Sequence, residues 1–181
     1  MKESLESKGE AILAPFQSGR WHYQGRKKNG ELAMEAVLRQ EGFEDIREHS
    51  EYKKFVSAEI QGPFYVIVDE RSTGGSLPHG DACYLDEWDV ILVRWLEPDK
   101  LTREGLTRES FTILAHEMGH RLAHQRGLAK YHNAPDFDTD EDELLAWQIA
   151  VDEYGAHKKF DHADADEYIK SHKKYLEEKA K

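Results

Sequence analysis

His116, Glu117 and His120 stand in the order H-E-x-x-H, the residue types and spacing in this chain best suited to chemistry. On a helix, positions four apart lie one turn apart on one face. Both imidazoles can then reach a single metal ion, while Glu117, one step round, points at the metal's open side. That disposition fits zinc-assisted hydrolysis, with the imidazoles as ligands and the carboxylate as general base.

Zinc in such a site needs a third protein ligand, usually a His shortly after the motif or a Glu on a following helix. The first option requires Gly at position 123 and His at position 126, and the chain has Ala123 and Arg126. The second fits Glu143, at the head of Glu143-Leu144-Leu145-Ala146-Trp147-Gln148-Ile149-Ala150. A helix, a turn and a second helix packed on the first would bring it to the metal. Glu141 and Asp140 are the substitutes, because helix boundaries read from sequence shift by a few residues. The acidic run from Asp136 to Glu143 equally suits a solvated helix N-terminus, where the helix dipole favours negative charge. A calcium loop built on Asp136, Asp138 and Asp140 fails, since its sixth and twelfth positions are Glu141 and Trp147 rather than Gly and Glu.

These residues resemble those of the gluzincin-type metallopeptidases, and within them the ImmA/IrrE-like peptidases. Those proteins carry an H-E-x-x-H helix after a short sheet and then a helix of the form E-x-x-A-x-x-x-A, matched here by Glu143, Ala146 and Ala150. The resemblance covers Asp89 to Gly155. It implies one Zn²⁺ per chain held by His116, His120 and Glu143, with Glu117 activating the water in the fourth position. It also implies a peptidase that cuts a protein or peptide substrate such as a repressor. Larger gluzincins place an Asp four residues after the ligand Glu to orient a ligand His. Trp147 stands there in this chain, which leaves Asp89, Asp140 or a backbone carbonyl for that task.

Other side chains are less constrained by spacing. Tyr131, His132, Tyr154, His157 and His79 are candidate donors to a tetrahedral oxyanion, and no spacing rule selects among them. His124, one turn beyond His120, reads as exposed. Cys83 reads as a small buried apolar residue rather than a ligand or nucleophile. Two further readings remain open: a non-catalytic zinc-binding regulatory or scaffold protein, and a zinc hydrolase acting on a non-peptide amide.

The elements around the motif are legible to different degrees. Thr107 is an N-cap candidate and Gly127 a C-terminal stop, so the motif should lie in a helix between them. On that helix Phe111, Leu114, Ala115, Met118 and Leu122 form an apolar stripe, with His116 and His120 opposite it and facing a cleft. A helix is expected over Glu31 to Gln40, and strands over Phe55–Ile60, Phe64–Val68, Ala82–Leu85 and Val90–Trp95. The last of these is expected to form the cleft edge that pairs with an extended substrate. Further helices are expected over Glu143–Phe160 and Ala165–Glu178. The fold class is α+β: a small, mostly antiparallel sheet packed with the motif helix and those after it, in one zincin-like domain over 1–181. Residues 1–30 read as irregular and 161–181 as a charged C-terminal helix.

At 181 residues the chain can bury a core without staples, and it carries a net charge of -11. That balance disfavours nucleic acid or anionic lipid as a partner and suits a basic or neutral polypeptide. With a single cysteine no internal disulfide can form, and with no apolar leader in Met1–Leu13 a reducing cytoplasmic setting is expected. No segment is long and apolar enough to span a membrane.

Overall fold

A computed structural model describes residue 38 and residues 43–48, 50–67, 82–86, 88–93, 105–129 and 139–181. The expected irregular segment 1–30, and Tyr131, His132 and His79, lie outside the described residues. Of the expected helix Glu31–Gln40 only Leu38 is described, and it is helical and buried.

The elements run β1 (Phe43–Asp45), α1 (Ser50–Glu59), β2 (Phe64–Ile67), β3 (Ala82–Leu85), β4 (Val90–Val93), α2 (Arg108–Gln125), α3 (Thr139–Tyr154) and α4 (His162–Lys179). The four strands form one sheet in the order β1-β2-β4-β3. β1 and β2 are antiparallel, as are β3 and β4, while β2 and β4 run parallel. The class is therefore α+β with a mixed, mostly antiparallel sheet, as the sequence predicts.

The sheet is covered on both faces. Phe64, Val66, Ile91 and Val93 point into the main core with Val56, Ile60, Phe111, Leu114, Met118, Trp147 and Phe160. The alternate residues Tyr65, Val90 and Leu92 pack with Leu38 and Phe43 on the other face. Burial on both faces is why β4 reads as the unbroken apolar run Val90-Ile91-Leu92-Val93 instead of alternating.

Three expectations are corrected. Phe55–Ile60 is the end of helix α1 and the residue after it, not a strand. Its buried positions Val56 and Ile60 are four apart, with Lys53, Lys54, Ser57 and Ala58 exposed, which is a helical period. Helix α3 starts at Thr139 rather than Glu143, because Asp140, Glu141 and Asp142 form its acidic first turn. It also ends at Tyr154, and Phe160 belongs to the turn before α4. Finally, β4 lies inside the sheet between β2 and β3, so it offers no open edge. Among the described residues the sheet edge on that side is β3.

Helix α2 has the ends the sequence predicts. Thr107 adopts extended backbone and its Oγ1 accepts the Ser110 N–H at 3.1 Å. At the other end Gly127 takes φ +66°, its N–H donates to the His124 carbonyl at 2.9 Å, and the Leu128 N–H donates to the Ala123 carbonyl at 2.9 Å. That pair of bonds satisfies carbonyls the helix would otherwise leave open. Helix α2 packs on β3 and α3, and α3 packs on α4. Thr112 ties the layers together: its hydroxyl accepts the Asp161 N–H at 2.8 Å, while Asp161 caps α4.

Candidate metal centre

The close approach of α2 and α3 starts from small residues. A methyl group built on Gly119 would overlap the backbone carbonyl of Ala146, so the two helices meet where neither presents a side chain of any size. This contact lies between His116 and His120 on α2 and beside Glu143 on α3. It sets the distance from which Glu143 must reach.

Glu143 Oε2 lies 2.9 Å from His116 Nε2, Glu143 Oε1 lies 3.3 Å from His120 Nε2, and the two Nε2 atoms are 3.2 Å apart. Two donors each bound at about 2.0–2.1 Å to a tetrahedral zinc ion would be separated by about 3.3 Å. The two Nε2 atoms stand close to that spacing, one Glu143 oxygen faces each of them, and one donor atom from each of the three side chains lies within 4.8 Å of the other two. Among the described residues they are the group of His, Cys, Asp or Glu side chains so placed. Glu141 and Asp140 do not join them, and the Asp140 carboxylate lies instead 2.7 Å from His172 Nδ1 on α4.

The electrostatics follow from this triad. Burial alone would raise the pKa of Glu143, but hydrogen bonds and charge from His116 and His120 outweigh it and hold the carboxyl well below the usual carboxylate range. For His120 burial acts downward, and the hydrogen bond and charge of Glu143 carry its pKa above the ordinary imidazole value. An anionic carboxylate against two imidazoles is a donor set that suits zinc.

Glu117 is buried, with 8 % of its surface exposed. Its Oε2 accepts the backbone N–H of Tyr84 at 2.8 Å, which joins the motif to edge strand β3. The junction is braced from the side. The Tyr84 hydroxyl donates to Asp89 Oδ1 at 3.2 Å, and Arg121, one turn beyond Glu117, donates to both Asp89 oxygens at 2.8 and 2.9 Å. Asp89 occupies the left-handed region at φ 51° in the turn before β4, a conformation Asp tolerates better than most residues.

The histidine face differs from an open cleft. His116 is only 8 % exposed, because α3 covers it: the Trp147 indole stacks on its ring at 4.1 Å between centroids. Leu122, expected in the apolar stripe, is only partly buried. Asp89 and Asp140 are corrected as orienting partners, since their carboxylates hold Arg121 and His172. His116 Nδ1 is buried and has no hydrogen-bond partner among the described residues. Of the candidate oxyanion donors that are described, His157 stacks on Phe111 at 4.1 Å and Tyr154 sits edge-on to the same ring at 6.5 Å. Both are thereby engaged with the core face of α2. His124 is partly buried rather than exposed, 3.8 Å from Asp86 and edge-on to Tyr84.

Cys83 is buried, as expected. Burial, followed by the charges of Glu117, Glu143 and Asp86, pushes its thiol well above the usual value. Sequence reasoning missed two parts of the site. One is Trp147, whose i+4 spacing from Glu143 was the available signal. The other is the Tyr84 N–H, a backbone group that carries no signal in its residue type.

No family model, curated protein or solved structure matches this chain.

Proposed function

We propose that the protein is a zinc-dependent metallopeptidase in which His116, His120 and Glu143 hold one Zn²⁺ and Glu117 is the general base. The observation that carries this reading is the convergence of the two Nε2 atoms, 3.2 Å apart, on the Glu143 carboxylate, whose Oε2 lies 2.9 Å from His116 and whose Oε1 lies 3.3 Å from His120, with Glu117 next in sequence to His116. When bound, zinc with an open fourth position makes a water acidic near neutral pH and polarises a scissile carbonyl.

The rest of the chemistry falls to the chain. Glu117 keeps Oε2 on the Tyr84 N–H, which fixes the carboxylate's orientation and leaves its other oxygen to take a proton and return it to the leaving amine. The net charge of -11 favours basic or neutral substrates.

The test combines metal analysis of protein purified without chelator with proteolysis by the Glu117→Gln variant. Expected are one zinc per chain in both proteins and a loss of about 10²- to 10⁴-fold in rate for the variant. Absence of zinc, or undiminished proteolysis by the variant, would overturn the reading. Zinc bound without any peptide cleavage would favour a non-catalytic zinc-binding protein.

A further inference from the structure

We infer that Trp147 is a positioning residue for the metal ligand His116, fixing its imidazole by ring stacking where a hydrogen bond to the second ring nitrogen would ordinarily do so. The inference rests on the zinc reading above. A metal-bound His almost always donates its other ring N–H to a carboxylate, carbonyl or water, which sets both the tautomer and the ring's rotation. His116 Nδ1 is buried and has no such partner among the described residues, and the carboxylates of Asp89 and Asp140 face Arg121 and His172.

What restrains the ring instead is contact on its faces and edge. The Trp147 indole lies against it with centroids 4.1 Å apart and planes inclined by 22°, and His120 meets it edge-on at 4.6 Å and 74°. Rotation of the imidazole about its Cβ–Cγ bond would drive the ring into the indole. Trp147 is itself only 5 % exposed and is backed on its outer side by Tyr168 of α4, at 5.0 Å and 5°. The three rings form a stack that ends at the surface, where Tyr168 is 52 % exposed.

The placement follows from helix geometry. Glu143 and Trp147 lie one turn apart on the same face of α3, so one face delivers a carboxylate to the Nε2 edge of His116 and an aromatic surface to its plane. Loss of the indole would leave Nε2 free to turn away from the point shared with His120 Nε2 and Glu143.

The test compares Trp147→Phe with Trp147→Met in full-length protein, since only the first keeps a ring. Zinc affinity is measured by competition with a chromophoric chelator, and ligand geometry by the visible absorption of the Co²⁺-loaded proteins. Expected are a loss of about tenfold or more in affinity for the Met variant with an altered Co²⁺ spectrum, and recovery of most of both in the Phe variant. Equal affinity and spectra in wild type and the Met variant would overturn the inference while leaving the zinc reading intact. A wild-type protein that binds no zinc would remove both. If the Met variant fails to fold, proton NMR of the wild type decides: the His116 ring protons, identified through His116→Ala, must be shifted upfield by the indole ring current in the zinc-loaded protein. Unshifted resonances would overturn the stack.

Discussion

Glu143 carries its charge in a partly buried position, where two imidazoles meet its two oxygens. Their hydrogen bonds and charge outweigh the burial that would otherwise raise its pKa. Glu143 and the carboxylates near it act in the opposite sense on Cys83. Its thiol is shut away from water and faces Glu117, Glu143 and Asp86, so the reactive thiolate is disfavoured by both burial and charge. A disulfide-exchange reagent at pH 8 should therefore label Cys83 far more slowly in the folded protein than in denaturant. Rapid labelling of the native protein would show that the β3 side of the site is open.

Among the elements, α2 and α3 determine whether the three candidate ligand side chains meet. Their contact at Gly119 and Ala146 has no room for a β-carbon on Gly119, and the atom it would strike is backbone, which cannot swing aside. Gly119→Ala should cost about 1–3 kcal/mol by overpacking, offset in part by the better helix propensity of Ala. Because relief requires α3 to move outward and carry Glu143 with it, zinc affinity should fall as well. Thermal unfolding of the metal-free protein and a chelator titration measure the two effects separately. A variant with wild-type stability and wild-type affinity would contradict the contact. The sequence showed both ends of α2, through Thr107 and Gly127, because caps depend on local backbone. It misplaced the start of α3 because an acidic run fits a loop and a first helical turn equally well.

At the scale of the whole molecule, the candidate ligands come from two helices, one of which packs on edge strand β3 and the other on α4. Metal bound by the native state and not by the unfolded chain stabilises the entire fold. At free zinc about 1,000-fold above the dissociation constant this amounts to about 4 kcal/mol. For a chain of this length the corresponding rise in Tm is about 8–16 °C. Scanning calorimetry with zinc and with chelator should show that difference in the wild type and little of it in His116→Ala. An identical Tm in both conditions would argue against zinc binding at this site. No helix among the described residues is long and apolar enough to cross a membrane.

By itself the sequence determined what depends on neighbours along the chain. The H-E-x-x-H spacing puts two imidazoles on one helical face, the caps bound that helix, and the apolar run Val90-Ile91-Leu92-Val93 marks a strand. It also narrowed the candidate third ligand to the acidic start of the following helix, where Asp140, Glu141 and Glu143 remained possible. Tertiary structure chose among them, because the register at Gly119 and Ala146 presents Glu143 to the histidines and turns Asp140 to His172. It alone decided that the indole of Trp147 lies on His116, that β3 rather than β4 is the sheet edge, and that the Tyr84 N–H holds Glu117. These are contacts between residues distant in the chain, set by the distance and rotation of packed helices and by strand order, neither of which is written in local residue spacing.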